Sequence, residues 1–160
     1  MSAAEPDLAH VIFPLEVDDG GWPPVSAERV WARRLSDTEF QLDNAPWFAR
    51  GVAEGDIVRA VAATDDEWPT FIETVRWSGN CNIRVIPFKK GRLGGDQAAV
   101  LQVLRPLGVT GEGAGSYPIV ALTIEPHLNL PAIKSLLDRG TQEGWWEYEE
   151  GCVSDEWLAL

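Results

Sequence analysis

Basic side chains are scarce in this sequence, which has 13 lysines and arginines against 25 aspartates and glutamates. The formal net charge is therefore −12 at pH 7. A surface of this sign repels the phosphates of nucleic acids and the headgroups of anionic lipids. We therefore expect no direct nucleic-acid binding and no adsorption to membranes, and a basic protein is the partner that best fits the charge.

Cysteine and histidine are also rare, with two of each in 160 residues. No pair of them has the spacing of zinc ligands, so no metal and no cofactor is expected. A nucleophilic thiolate needs a nearby base or a positive field, and nothing in the sequence places His10 or His127 beside Cys81 or Cys152. We therefore interpret both cysteines as structural thiols.

Long apolar runs are missing, because none approaches the ~20 residues that span a bilayer. Residues 1–7 have neither the basic segment nor the apolar core of a secretory signal. Without an export signal the two thiols are expected to stay reduced. The sequence thus predicts a cytoplasmic protein without a transmembrane helix.

Short segments of strand composition dominate residues 10–78. The predicted strands are 10–17, 28–35, 39–42, 57–62 and 70–77. Between them, residues 45–52 are predicted to form a short helical turn. So many short strands would leave long open edges in a flat sheet, so the pattern favours a small β-barrel-like module.

The pattern changes after residue 78. The predicted elements are strand 81–88, helix 96–107, strand 109–113, strand 117–124, helix 129–140 and strand 145–148. Asp96 and Asn129 are expected to cap the two helices, and Gly140 is expected to end the second. This βαββαβ order is that of a ferredoxin-like sandwich. The prediction is an α+β chain.

The sequence predicts two domains and a tail. The domains are a small β-barrel-like module over 10–78 and a ferredoxin-like module over 79–152, and the tail covers 153–160.

Four segments in combination are characteristic of a family. They are 15–24 (LEVDDGGWPP), 42–52 (LDNAPWFARGV), 55–58 (GDIV) and 148–152 (YEEGC). Over residues 10–155 the chain resembles the uncharacterised bacterial family catalogued as domain of unknown function 4265. The family has no established activity, so the resemblance implies a bacterial cytosolic origin and no residue roles. Separately, residues 49–58 are similar to the short helix, Gly-Asp turn and strand of cradle-loop barrels.

One local basic stretch interrupts the acidic background. Lys89, Lys90 and Arg92 lie in a glycine-rich connection that leads to the predicted helix at Asp96, and Arg84 lies in the strand before it. Backbone N–H groups and cationic side chains at the start of a helix can hold an anion. The lysine-then-hydroxyl order of a P-loop is missing, so an ordinary solvated connection is the alternative.

Tryptophan is in excess, with eight residues. Large aromatic side chains fill cores, and they also anchor protein interfaces. The residues predicted to bind a partner are Trp22, Trp47, Trp145, Trp146, Glu147 and Glu149. Because neighbouring residues on a strand face opposite sides, one of Trp145 and Trp146 should point outward and form an apolar anchor among acidic side chains.

Three functions follow from these observations. The favoured one is a non-enzymatic acidic binding protein that recognises a basic protein, as an immunity-like inhibitor or a regulator does. The second is a small-ligand or anion-sensing module with its site at the 89–96 loop or between the modules. The third is an enzyme that uses Asp43, Asp56 or Glu73 of the N-terminal module as a base, with Arg50 orienting the substrate.

Overall fold

The computed structural model describes residues 7–160, and the chain divides into two compact units. The first unit ends at Ser78, and the second spans Gly79 to Leu160. Most of the regular structure is β, in two largely antiparallel sheets, and the helices are few. Each unit has its own core of buried hydrophobic side chains.

The first unit contains five strands. They are β1 (Leu8–Pro14), β2 (Ala27–Arg34), β3 (Glu39–Leu42), β4 (Ile57–Val61) and β5 (Thr70–Arg76). Successive strands pair antiparallel, and β1 also pairs with β5 in parallel, where Ile12 faces Thr70. The strands therefore pair in the order β1-β2-β3-β4-β5, and β5 pairs in turn with β1.

Alternation of apolar and polar residues explains why β1 to β4 form a one-sided core, since successive side chains point to opposite faces of a strand. The inward residues are Ala9, Val11, Phe13, Val30, Ala32, Phe40, Leu42, Val58 and Ala60. β5 departs from this pattern, because most of its side chains are exposed, including those of Ile72 and Val75.

Residues 45–52 form bends and no helix, so the predicted helical turn is wrong. The carboxylate of Glu28 accepts hydrogen bonds from three successive backbone N–H groups, those of Trp47, Phe48 and Ala49. Shortly afterwards the chain turns at Gly51, where φ is 77°, a value that side-chain-bearing residues rarely adopt. Too few residues lie between the hydrogen bonds to Glu28 and the turn at Gly51 for a helix to form.

The second unit follows the order strand, helix, strand, strand, helix, strand. Its elements are β6 (Cys81–Pro87), α1 (Gln97–Leu104), β7 (Thr110–Gly113), β8 (Val120–Ile124), α2 (Leu130–Gln142), β9 (Trp146–Cys152) and a short α3 (Asp155–Leu158). The sheet is antiparallel, in the order β7-β8-β6-β9. Asp96 and Asn129 cap α1 and α2 through their side chains, as predicted. Within residues 7–160, no helix is long and apolar enough to cross a membrane.

The core of the second unit lies between the two longer helices and one face of the sheet. Val100, Leu104, Ile133 and Leu137 of the helices pack there with strand residues such as Ile83. Residues 153–160, which the sequence sets apart as a tail, contribute Trp157 to the same core, where it is completely buried. The second unit therefore extends past residue 152.

Gly140 does not end α2, which continues to Gln142. Packing explains the glycine at this position, because the indole of Trp146 lies directly against Gly140, where any other residue would carry its Cβ atom. Glycine is required at this place for close approach of a side chain. Its usual role as a helix terminator does not apply.

Candidate functional site

Arg84, predicted to help hold an anion, is completely buried in β6. Its Nε donates to Oε1 of Glu149 at 3.0 Å, and its Nη1 donates to Oδ1 of Asn82 at 2.8 Å. Gly151 leaves space for the guanidinium, because a Cβ atom there would lie 2.6 Å from Cζ of Arg84. The arginine is therefore part of the interior of the second unit, and Glu149, predicted to contact a partner, is its counter-ion.

The other three basic residues, Lys89, Lys90 and Arg92, are exposed. The guanidinium of Arg92 also lies 5.2 Å from the ring centroid of Trp145. The start of α1, where the predicted anion would bind, is already occupied, because the carboxylate of Asp96 accepts two of its backbone N–H groups. The four residues predicted from the sequence do not form one anion site.

The prediction that Trp145 or Trp146 points outward is wrong, since the two residues are 7% and 0% exposed. Trp145 precedes β9, so the alternation of a strand does not apply to it. Its ring meets that of Trp146 edge to face at 5.6 Å and is also covered by Arg92 and Arg139. Glu147 is exposed but has no exposed indole from this pair beside it.

The tryptophans that reach the surface lie in the first unit. They are Trp22 and Trp47, which are partly buried, and Trp31, Trp68 and Trp77, which are 49%, 44% and 43% exposed. Residues 1–78 also hold 15 acidic and 6 basic side chains, a net charge of −9, whereas residues 79–160 hold 10 and 7, a net charge of −3. Exposed indoles and negative charge therefore occur in the same part of the chain.

Three of these side chains form what we call the aromatic cluster, His10, Trp31 and Trp68. His10 of β1 pairs with Trp31 of β2, and their ring centroids are 3.9 Å apart. The ring of Trp68 meets His10 edge to face at 5.1 Å. Sequence reasoning missed this cluster, because Trp68 lies 58 positions from His10 and reaches it only through the pairing of β1 with the start of β5.

His10 is the polar member of the aromatic cluster. Its Nδ1 is buried and has no hydrogen-bond partner within the described part of the chain. Burial lowers the pKa of His10 below its ordinary value, and the positive charge of Arg29 lowers it further. The histidine is therefore held in its neutral form more firmly than a solvated one.

A pocket of about 500 Å³ includes both sequence neighbours of Trp68 in its lining. It is lined by Arg34, Asp37, Val61, Ala62, Thr64, Asp65, Glu67 and Pro69, and we call it the acidic pocket. Its lining contains three carboxylates and one guanidinium, and that guanidinium, of Arg34, already lies 3.5 Å from the carboxylate of Asp7. The pocket therefore presents net negative charge to an incoming group.

A second pocket, of about 430 Å³, joins two of the segments on which the family resemblance depends. It is lined by Pro14, Leu15, Glu16, Pro23, Phe48 and Arg50, and we call it the Arg50 pocket. The ring of Trp22 meets that of Phe48 edge to face, with centroids 5.7 Å apart. The three backbone bonds to Glu28 hold the segment that carries Phe48.

The carboxylates suggested for catalysis have separate partners. Oδ1 of Asp43 lies 3.6 Å from Arg33, and Oε1 of Glu73 lies 3.1 Å from Arg59. Asp56 is completely buried and accepts hydrogen bonds from two backbone N–H groups, one of them that of Ser78 at 2.9 Å. Burial nevertheless raises the pKa of Asp56 above its ordinary value. The three carboxylates do not converge on one pocket.

The cysteines are both free thiols, Cys81 buried and Cys152 partly so. The thiol of Cys81 lies 3.8 Å from Oγ of Ser154. Across residues 7–160, no group of three histidine, cysteine, aspartate or glutamate side chains is placed to hold a metal ion.

The fold and these sites define a two-unit α+β protein whose surface indoles and charged pockets lie on the first unit. More particularly, the chain belongs to the family described as Domain of unknown function (DUF4265). The family model matches residues 28–148. This match confirms the family predicted from the sequence. It matches none of the curated proteins with which it was compared.

One solved structure is similar in fold, a novel crystal structure of a hypothetical protein from Neisseria gonorrhoeae. The similarity covers 96% of this chain and 99% of that chain, with a TM-score of 0.70 and 18% sequence identity. At this level of identity the likeness concerns the fold alone.

Proposed function

We propose that this protein is a non-enzymatic binding protein whose first unit recognises a basic protein, as an inhibitor or a regulator does. The observation that carries the proposal is that the acidic pocket and the aromatic cluster take neighbouring residues of the chain. Glu67, Trp68 and Pro69 are consecutive; the outer two line the pocket, and Trp68 belongs to the cluster. An exposed indole beside grouped carboxylates suits a lysine or arginine side chain.

The chemistry of such a contact follows from the two surfaces. A partner's arginine can stack on the face of Trp31 or Trp68, an interaction of about 0.5–1 kcal/mol when exposed and ~2 kcal/mol when desolvated. Its charged end can then reach Asp65 or Glu67 in the acidic pocket and form charge-assisted hydrogen bonds. The indoles supply buried area, and the carboxylates supply orientation and selectivity for positive charge.

Long-range electrostatics favour the same class of partner. The net charge of −9 on residues 1–78 attracts a basic protein during diffusion and raises the rate of encounter. The same charge opposes nucleic acids and anionic lipids. The enzyme alternative has less support, because Asp43, Asp56 and Glu73 bind different partners and do not face a shared substrate site.

We also propose a fold type for each of the two modules. We assign residues 10–78 to a small β-barrel-like module and residues 79–152 to a ferredoxin-like module. The return of the strand pairings from β5 to β1 supports the first assignment, and the βαββαβ order with the sheet order β7-β8-β6-β9 supports the second. The proposed binding surface belongs to the first module.

The proposal is tested by affinity capture with the full chain followed by measurement on the purified partner. We expect a captured protein to be basic and its dissociation constant to rise steeply between about 50 and 300 mM salt, because the Debye length shortens from ~14 to ~6 Å. The double variant Trp31→Ala/Trp68→Ala should weaken binding by about a hundredfold, as the loss of two aromatic anchors predicts.

The matched control is Trp77→Ala, which removes an equally exposed indole outside the aromatic cluster. This control should bind the partner with the affinity of the wild type. Charge reversal in the pocket, with Asp65→Lys/Glu67→Lys, should abolish binding. A partner that is acidic, or one whose affinity is the same for all variants and salt concentrations, would contradict the proposal.

A further inference from the structure

The Arg50 pocket carries a second inference, independent of the proposed protein partner. The apolar part of its lining comes from Pro14, Leu15, Pro23 and Phe48. Two charged residues of opposite sign, Glu16 and Arg50, line the same pocket. Its volume of about 430 Å³ falls in the range of small-molecule sites, which run from roughly 300 to 1,000 Å³.

The pocket is built from segments that are held in place before any ligand arrives. Glu28, only 6% exposed, accepts the backbone N–H groups of Trp47, Phe48 and Ala49 at 2.7–3.0 Å. The opposite segment is fixed by a turn in which the N–H of Trp22 donates to Oδ1 of Asp18 at 2.9 Å. Such preorganisation reduces the entropy that a bound ligand must overcome.

The charges of the pocket select among ligands. An anion would be attracted by Arg50 but repelled by Glu16 and by the net charge of −9 on residues 1–78. A cation would be attracted by Glu16 and repelled by Arg50. A ligand that carries both charges can satisfy both residues at once, and it is neutral overall, so the acidic surface does not repel it.

We propose that the Arg50 pocket binds a free aromatic α-amino acid. Arg50 receives the carboxylate, since a guanidinium has five N–H donors and can serve a ligand and a neighbouring group together. Glu16 receives the ammonium group. The ring packs against Phe48 and the two prolines, with the edge-to-face or offset geometry that aromatic pairs prefer.

The test is calorimetric titration of the full chain with three probes that share one ring. L-Phenylalanine carries both charges, phenylacetate carries only the anion, and 2-phenylethylamine carries only the cation. We expect phenylalanine to bind at least about tenfold more tightly than either of the others, because each of them lacks one of the two charged groups that the pocket can contact.

Variants separate the two halves of the site. Arg50→Gln should bind phenylalanine and 2-phenylethylamine about equally, and Glu16→Gln should bind phenylalanine and phenylacetate about equally. Arg59→Gln is the matched control, because Arg59 pairs with Glu73 on β4 and β5 and lines a different surface. It should retain the wild-type preference.

Circular dichroism and thermal unfolding establish that each variant is folded. Failure of phenylalanine to bind the folded wild-type chain would overturn the assignment. So would binding of all three probes with the same affinity, or a preference that survives in both Arg50→Gln and Glu16→Gln. None of these results bears on the basic partner, whose predicted surface uses other residues.

Discussion

Arg84 and Glu149 form an ion pair in the sheet of the second unit, with Nε and Oε1 3.0 Å apart and the arginine side chain completely buried. The glutamate is 26% exposed, so only one of the two charges depends entirely on protein partners. Removal of one member of such a pair leaves the other uncompensated, whereas exposed pairs contribute little. The burial of an ion pair therefore determines how much stability is lost when one of its members is removed.

We predict that Glu149→Ala lowers the free energy of unfolding by about 3–5 kcal/mol, because the buried guanidinium of Arg84 loses its counter-ion. The measurement is urea unfolding followed by tryptophan fluorescence. The control is Glu73→Ala, which breaks the exposed pair with Arg59, whose length of 3.1 Å is similar, and should change stability by no more than about 1 kcal/mol. Equal losses in the two variants would contradict the assignment.

Gly140 provides a prediction in which the usual effect is reversed. Replacement of glycine by alanine inside a helix normally stabilises by roughly 0.5–1 kcal/mol. At Gly140, however, a Cβ atom would lie 2.6 Å from Cζ2 of Trp146, which is completely buried. We predict that Gly140→Ala destabilises the protein by about 1–3 kcal/mol, because the indole must move within a packed core.

Thermal and urea unfolding measure this change. Ser135→Ala, at an exposed position of the same helix, is the control and should shift the free energy of unfolding by less than about 0.5 kcal/mol. In the double variant Gly140→Ala/Trp146→Phe, the smaller ring should recover part of the loss attributable to the clash. A rise in stability on Gly140→Ala alone would show that the indole does not constrain this position.

Glu28 holds the segment 47–49 through three backbone hydrogen bonds. In Glu28→Gln one carboxylate oxygen becomes an NH₂ group, which faces backbone donors and cannot accept from them. We predict a loss of about 1–3 kcal/mol in the free energy of unfolding, the cost of leaving a buried N–H group without an acceptor. Hydrogen exchange at Trp47, Phe48 and Ala49 should accelerate in the variant, while exchange in α2 of the second unit stays unchanged.

The sequence predicted what local chemistry determines. Asp96 and Asn129 were recognisable as caps because a cap depends on two or three following residues. The role of Glu28 was not recognisable, since its backbone partners lie 19–21 positions away. The burial of Arg84 was likewise not recognisable, because Glu149 becomes its neighbour only through the pairing of β6 with β9.

The burial of the tryptophans also depends on contacts between distant segments, which the local sequence does not predict. The apolar and acidic residues 145–149 predicted an exposed anchor, but Trp146 is buried because Gly140 of α2 leaves space for its ring and the carbonyl of Leu137 accepts its indole N–H. The aromatic cluster depends in turn on the pairing of β1 with the start of β5. Contacts between distant segments therefore decide which indoles remain at the surface.

The aromatic cluster makes stability depend on pH through His10. Its pKa in the folded protein is lowered from 6.5, first by burial and then by the charge of Arg29. The unfolded chain therefore binds more protons than the folded chain as the pH falls below 6.5. The stabilisation that comes from the neutral ring is complete above pH 6.5 and is lost as the pH falls through the folded pKa.

We therefore predict that the free energy of unfolding decreases as the pH falls below 6.5, and that His10→Phe removes this part of the decrease because phenylalanine keeps a ring against Trp31 without titrating. Urea unfolding at several pH values measures the slope. His127→Phe, at an exposed position, is the comparison variant that also lacks one histidine. Parallel pH profiles for the wild type and His10→Phe would mean that protonation of His10 is not coupled to folding.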